Sequence, residues 1–252
     1  MNRFDRYRRT FASADDGLVC WWYSGLSYVV LPGQPEIPLL QVVAIMTYRT
    51  TTQSPDAFCV HWSEIGVFLD PVTGGPLTSW TNPVTGLTVE PPRNFAEGPG
   101  KYTVHRADDG VQLQLEQPHA RILELAVAFE DGDGRFAFTQ RERKVRGYPG
   151  PDGTLPAADS PASFEGLTEL RFATPKDGLL PHGDCEPSVQ GTYRFTLGGI
   201  PPWTGFQPVP GGVTRTLGSI TRARPGERLN QGAWELLQQG FPREIEHPPA
   251  AS

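Results

Sequence analysis

Between Val111 and Phe138 apolar and polar residues alternate with a period of two. Val111, Leu113 and Leu115 are interleaved with Gln112, Gln114 and Glu116. Leu123, Leu125, Val127 and Phe129 then alternate with Ile122, Glu124, Ala126 and Ala128, and Phe136 and Phe138 resume the pattern after Asp131-Gly132-Asp133-Gly134. Successive side chains of a strand point to opposite faces, so a period of two marks half-buried strands. The Asp-Gly pairs between the runs turn the chain back on itself, and the segment reads as a meander of hairpins.

The same signal recurs along the chain. Leu18–Leu31 is rich in Trp, Tyr and Val, Ile37–Thr52 is a long apolar run, and in Ala57–Leu69 the residues Phe58, Val60 and Trp62 alternate with Cys59, His61 and Ser63. Further strands are expected at Leu167–Ala173, Gln190–Leu197 and Val213–Arg224, with Gly25 marking a bend or bulge in the first strand. Two turns share the form [Asp/Asn]-Pro-Val-Thr-Gly, at Asp70–Gly74 and Asn82–Gly86. An Asx side chain bonds its own backbone, Pro fixes φ and Gly permits positive φ. One helix is expected, Gln231–Gln239, stopped by Gly240 and Pro242. About ten strands with so little helix need a closed or two-layered sheet, because open edges invite aggregation. The expected fold is all-β, an antiparallel up-and-down β-barrel of the lipocalin or calycin kind with a short C-terminal helix, with a sandwich as the alternative. Residues 1–16 read as an N-terminal arm or short helix, 17–247 as one barrel domain with a long loop or lid at 147–165, and 248–252 as a disordered tail.

Composition narrows the function classes. The 28 Gly and 26 Pro residues follow no period, which fits many turns between short strands. The formal net charge is −6, and the densest basic run, Arg141–Arg146, carries Glu142 inside it. It reads as a solvated strand end, and no nucleic-acid partner is expected. The three cysteines form no CxxC pair, the first residues lack an apolar leader, and no stretch approaches the roughly 20 apolar residues of a membrane helix. The expectation is a cytoplasmic protein with no membrane partner. A nucleophile elbow, a P-loop, a dinucleotide fingerprint and a zincin motif are all missing from the sequence, so no cofactor is expected. His182, Asp184, Cys185 and Glu186 fall within five residues, but their spacing matches no structural zinc site and reads as polar surface. No metal is expected.

Trp21-x-Tyr23-x-Gly25 with Tyr28, followed by Asp70-Pro71-x-Thr73-Gly74, Leu77, Trp80, Asn82-Pro83 and Thr85-Gly86, resembles a family known as domain of unknown function 1838. The resemblance is clearest over residues 21–90 and extends more thinly to Pro202-Trp203 and Pro210-Gly211-Gly212. The sequence departs from the family pattern at Val89–Asn94, where the family tends to carry a His and an Asn-Asp-Pro stretch. The resemblance implies a shared fold and supplies no activity or catalytic residues.

The candidate site residues therefore come from the chain itself. Glu124 lies in a very apolar strand with Ile122, Ala126 and Ala128 on its own face. If that face lines the barrel, desolvation raises its pKa into the range of a general acid or base. His61 is the second candidate for proton transfer. Trp21, Tyr23, Tyr28, Trp80 and Trp203 are candidate walls of a ligand cavity, with Trp22 on the opposite face from Trp21 and Tyr23. Arg49 and Arg141 are candidates to hold a ligand oxygen. These residues motivate a cofactor-free isomerase, cyclase or lyase acting on a hydrophobic small molecule. A non-catalytic carrier or sensor of such a ligand is the alternative, and a filled structural barrel the third reading. All of them turn on whether the barrel is hollow.

Overall fold

The computed structural model describes every residue except 133, 151–153, 161–162, 180–187, 207–208, 225 and 247–252. The His182–Glu186 cluster and the 248–252 tail therefore lie outside the described residues, as does part of the 147–165 loop. The chain runs α1 (Arg3–Phe11), β1 (Leu18–Val30), β2 (Ile37–Ser54), β3 (Ala57–Leu69), β4 (Trp80–Thr81), β5 (Thr88–Val89), β6 (Asn94–Ala107), β7 (Gly110–Glu116), β8 (Arg121–Gly132), β9 (Arg135–Gly147), β10 (Ser163–Pro175), β11 (Gln190–Leu197), β12 (Val213–Ala223), α2 (Gln231–Gly240) and α3 (Pro242–Glu246).

Ten of the strands form one antiparallel sheet in the order β7-β6-β3-β2-β1-β12-β11-β10-β9-β8. Apart from the excursion of β4 and β5 and the step from β7 to β8, each strand pairs with its neighbour in sequence, and β12 returns to pair with β1. This is an up-and-down barrel, as the alternation implies. It is nearly closed: β7 and β8 come alongside one another, but no hydrogen-bonded ladder joins them. Alternation sorts the side chains. Phe58, Val60 and Trp62 of β3, Tyr102 and Val104 of β6 and Phe136 and Phe138 of β9 all belong to the inner core.

One end of the barrel is plugged. The apolar positions of α1, Phe4, Tyr7 and Phe11, recur at helical spacing and are buried. Asn2 caps the helix by accepting from the Asp5 amide at 2.9 Å. The Phe11 ring lies 5.0 Å from Tyr48 and 5.4 Å from Tyr102, and Tyr7 lies 4.7 Å from Phe138. Of the two readings of residues 1–16, arm or short helix, the helix forms over Arg3–Phe11 and stops the barrel, with Arg3 and Arg6 holding Asp109 and Asp131 at the rim.

On the outer face, Trp22, Val43, Ile45, Ile65 and Val67 meet Ala233, Trp234 and Leu237 of α2. This settles the orientation of β1: Trp21 and Tyr23 face inward and Trp22 outward. Gly25 does not mark the bulge, which falls between Ser27 and Tyr28. Gly25 lies opposite Gly218 on β12, and both leave room for the Tyr193 ring, which a Cβ at either position would strike.

The twin turns form as their composition dictates. The Asp70 carboxylate accepts from the amides of Val72 and Thr73, and the Asn82 carbonyl oxygen from those of Val84 and Thr85. Gly74 and Gly86 close them at φ of 69° and 72°. Asn82 does one thing more. It is fully buried, and its amide donates to the Thr204 carbonyl at 3.1 Å, tying the β4–β5 excursion to the loop that holds Trp203. Asn82→Asp keeps both accepted bonds, removes this donor and buries a charge. It should destabilise the protein by about 1–3 kcal/mol in a denaturant titration, whereas Asp70→Asn should leave it nearly unchanged.

Candidate functional site

The barrel is hollow toward the end opposite α1. A cavity of about 180 Å³ lies between the aromatic layer around Tyr102 and a mouth framed by Pro92, Tyr148, Pro149 and Trp203. Most of its wall is apolar: Tyr23 of β1, Val42 and Ala44 of β2, Phe68 of β3, Phe95 of β6, and Tyr193 and Phe195 of β11. The remaining wall carries Glu64, Glu97, Gln117, Glu142, Lys144 and Arg146.

Register explains why charged residues point inward. Continuing from Phe136 and Phe138 in steps of two, β9 presents Gln140, Glu142 and Lys144 to the interior, all of them buried. Arg141 and Arg143, one step out of phase, point outward and are exposed. The Arg141–Arg146 run is therefore only half a solvated strand end. Glu64 likewise continues the inward series Phe58, Val60, Trp62 on β3.

These groups form one connected network across the interior. Glu142 accepts from Tyr102 Oη at 2.7 Å and from Gln140 Nε2 at 2.7 Å, and it pairs with Lys144 at 3.0 Å. Lys144 also donates to Gln117 Oε1 at 3.3 Å, and Gln117 in turn donates to Glu97. Glu97 pairs with Arg146 at 3.0 Å. Tyr7 of the plug helix donates to Gln140 Oε1 at 3.0 Å. Glu97 and Tyr102 belong to β6, and Gln140 through Arg146 to β9. β6 and β9 are each second from the edge of the sheet, so the network spans the seam that β7 and β8 leave without a ladder. Side-chain bonds replace missing backbone bonds there.

Glu64 stands apart. Both cations are already matched, Lys144 by Glu142 and Arg146 by Glu97, and among the described residues no hydrogen bond or ion pair holds the Glu64 carboxyl. Burial, then the neighbouring Glu97 charge, push its pKa up to about 8, against the pull of Arg146 and Lys144. Glu142 goes the other way: burial would raise it, but Lys144 and the bonds from Tyr102 and Gln140 outweigh burial and hold its pKa below the usual value. Near neutral pH the cavity wall then holds two ion pairs and one carboxylic acid. Two inward carboxyls with opposite shifts are the pattern by which one site keeps a proton and another stays ionised. Burial also holds the Tyr193 hydroxyl in its protonated form, with Glu64 adding to the effect.

The residues picked out from the sequence divide sharply. Tyr23 and Trp203 line the cavity. Trp21 is fully buried in the aromatic layer beneath, 5.0 Å from Phe172. Trp80 stacks edge-on against Trp203 at 6.2 Å, supporting the mouth from outside the cavity. Tyr28 lies just past the bulge and is not part of the wall, whereas Ser27 beside it is.

Four assignments are corrected. Glu124 is on the outer face, 62 % exposed, and paired with Arg143 at 3.5 Å. The small residues beside it, Ala126 and Ala128, are exposed, and the lumen side of β8 is that of Leu125, Val127 and Phe129. His61 is also outward, paired across the sheet with Arg49 and Lys101. Partial burial and the Lys101 charge lower its pKa, with Glu116 opposing. Arg49 shares that outer face, and Arg141 is exposed and bound to Glu169 at 2.8 Å. None of the four reaches the cavity.

Among the described residues no three His, Cys, Asp or Glu side chains gather as a metal site, and no helix is long and apolar enough to cross a membrane. No curated protein matches the chain. Tyr23, Ala44, Glu64 and Phe68 of the cavity fall in its first hundred residues, whereas Glu142, Lys144 and Arg146 come later. That first part has a relative: residues 16–93, which hold β1 to β5 and both Pro-Val-Thr-Gly turns, match the family described as "Protein of unknown function (DUF1838)", the one those turns and the Trp21–Gly25 motif resemble.

Proposed function

We propose that the protein binds a small, largely apolar molecule in the barrel cavity and transfers a proton to or from it without a cofactor, as an isomerase, cyclase or lyase does. The observation that carries this reading is the uncommitted Glu64 carboxyl in a mostly apolar cavity whose other charges are all paired. A cavity of about 180 Å³ suits a compact, largely apolar molecule of a few rings. An acid that titrates near the working pH is suited to giving and retrieving a proton. The paired groups, held by one another and by Tyr102, Gln117 and Gln140, serve as fixed dipoles around it. This replaces Glu124 and His61 by Glu64 and leaves the reaction class unchanged.

The binding half is tested with a neutral fluorescent probe, N-phenyl-1-naphthylamine. The wild type should enhance its fluorescence, and Ala44→Phe, which fills the cavity from β2, should weaken binding at least about tenfold. Val42→Phe on the same face provides a second filling variant should the first fold poorly. Unchanged probe binding in a folded filling variant removes the lumen as the site. The catalytic half is tested by incubating an apolar cell extract with wild type or Glu64→Gln. A compound converted to an isomer, or to a product lighter by water, only by the wild type supports the enzyme. Retention of a compound by both proteins without conversion identifies a carrier.

A further inference from the structure

Glu64 and Tyr193 face the cavity with O–H groups that no partner takes up, and the Trp62 indole N–H on the same wall is likewise unpartnered. The Glu64 carboxyl has no partner among the described residues, and a third carboxylate in a space with only two cations, each already matched, keeps its proton. Tyr193 approaches from β11. It is 8 % exposed and lines the same cavity, and no hydrogen bond holds its hydroxyl among the described residues. Its ring is set by Tyr23, 5.4 Å away, and by the paired glycines Gly25 and Gly218 that make space for it. The two groups also act on one another electrostatically, Glu64 helping to keep the Tyr193 hydroxyl protonated.

What the two O–H groups lack is a partner that accepts from both. A ligand carboxylate would find no free cation, because Lys144 and Arg146 are bound to Glu142 and Glu97, and it would add a further negative charge beside them. An ammonium ion could use the carboxyl and hydroxyl oxygens only as neutral acceptors, and pairing with it as an ion requires Glu64 to give up its proton and charge a buried group. A bare hydrocarbon fills the volume but leaves both donors unsatisfied in a dry site, at a cost in each case.

We propose that the cavity selects uncharged molecules with an apolar body and one accepting oxygen, a ketone above all, held by the Glu64 carboxyl and the Tyr193 hydroxyl. This rests on the lumen being the ligand site and adds the ligand's chemical class. A neutral carboxylic acid beside a tyrosine hydroxyl is also an arrangement that stabilises negative charge developing on a carbonyl oxygen, so the ligand class and the acid–base chemistry agree.

The test is a matched series on one skeleton: tetralin, 1-tetralone, 1-aminotetralin and tetralin-1-carboxylate, each displacing N-phenyl-1-naphthylamine at about pH 6, where Glu64 holds its proton. The ketone should bind about tenfold or more tighter than each of the other three, as expected for two hydrogen bonds made in a site that otherwise leaves them unmade. Tyr193→Phe and Glu64→Leu should each reduce the ratio of ketone to hydrocarbon affinity about three- to tenfold, weakening the ketone and not weakening tetralin, which then leaves one donor fewer unmade. Glu64→Gln, whose amide still donates, should retain most of the ratio. Equal affinity for tetralin and tetralone, or tightest binding of the amine or the carboxylate, overturns the ligand class while the cavity reading stands. Failure of all four to displace a probe that does bind overturns it equally. If the probe and the whole series fail to bind, both readings fall.

Discussion

Lys144→Met should destabilise the protein by about 3–5 kcal/mol at pH 7, the largest single-residue loss expected outside the aromatic core. Lys144 is 7 % exposed at its side chain and Glu142 3 %, so removing the cation leaves a carboxylate stranded in the interior. The same change cuts the link to Gln117 and, through it, to Glu97. The effect is thus on the seam: β6 and β9 lose a connection where β7 and β8 have none to offer. The pH dependence identifies the cause. In the wild type Glu142 has a depressed pKa, so its contribution is present above the ordinary carboxylate pKa and disappears as pH falls through its folded value. Without Lys144 burial dominates, Glu142 takes up a proton more readily, and the stranded charge is relieved in acid. The gap between wild type and variant in urea titrations should therefore narrow as pH falls from the raised Glu142 pKa of the variant, above the ordinary carboxylate value, to the depressed one of the wild type. A gap that stays constant down to acid pH would mean that lost packing of the lysine stem, not the ion pair, is responsible. The double variant Lys144→Met/Glu142→Leu should recover much of the loss, because removing both partners leaves nothing stranded.

The seam also shows which parts of the molecule were legible in the sequence. Period-two alternation in 111–138, the Asp-Gly turn and the twin Pro-Val-Thr-Gly turns suffice for an up-and-down barrel, because each is a local signal with a local cause. The site was not legible in the same way. A charged run such as Arg141–Arg146 reads as solvent-facing by composition, yet its phase with Phe136 and Phe138 places Glu142 and Lys144 inside. The information was present as phase and masked by composition. Glu64 carried the same signal, two residues on from Trp62. Glu124 failed for the converse reason. Small neighbours made its face look like a lumen, whereas Leu125, Val127 and Phe129 take the inward side and a bulge falls between Ile122 and Glu124. What no phase argument supplies is long-range partnership. That Glu97 and Tyr102 of β6 would meet Arg146 and Glu142 of β9 depends on the barrel closing, and closure brings together residues some 40 positions apart. The plug had a local signal, since Phe4, Tyr7 and Phe11 fall at helical spacing in a run whose charges draw the eye first.

Glu64→Gln should have the largest effect on activity, lowering turnover of whatever compound the wild type consumes by about 10²–10⁴-fold, the range for losing a positioned acid or base, with little effect on apparent affinity. Two dependences on pH should accompany it. First, wild-type activity that uses Glu64 as an acid should decline as pH rises past about 8, because the proton to be donated is then lost. Second, stability should respond with a definite sign. The folded-state pKa is raised from an ordinary 4.5 to about 8. Between those values the folded protein holds a proton that the unfolded chain has released, so stability falls as pH rises, by up to about 1.4 kcal/mol per pH unit from this group. Above the folded pKa both states are ionised and the slope vanishes. Glu64→Gln has no proton to lose. Its stability relative to wild type should therefore increase from about pH 5 to pH 8 and level off beyond, the opposite of what loss of a stabilising contact would give. Groups facing Glu64 from every side would modulate the curve: Glu97 from β6, Glu142, Lys144 and Arg146 from β9, and Tyr23, Tyr48 and Tyr193 from β1, β2 and β11. After burial the Glu97 charge raises the Glu64 pKa most, with Glu142 adding to it, so Glu97→Gln should bring the Glu64 midpoint down, as read by carboxyl carbon shifts in NMR. A variant that is less active and also less stable at pH 8 would assign Glu64 to the seam with the other charges and leave the cavity without its acid.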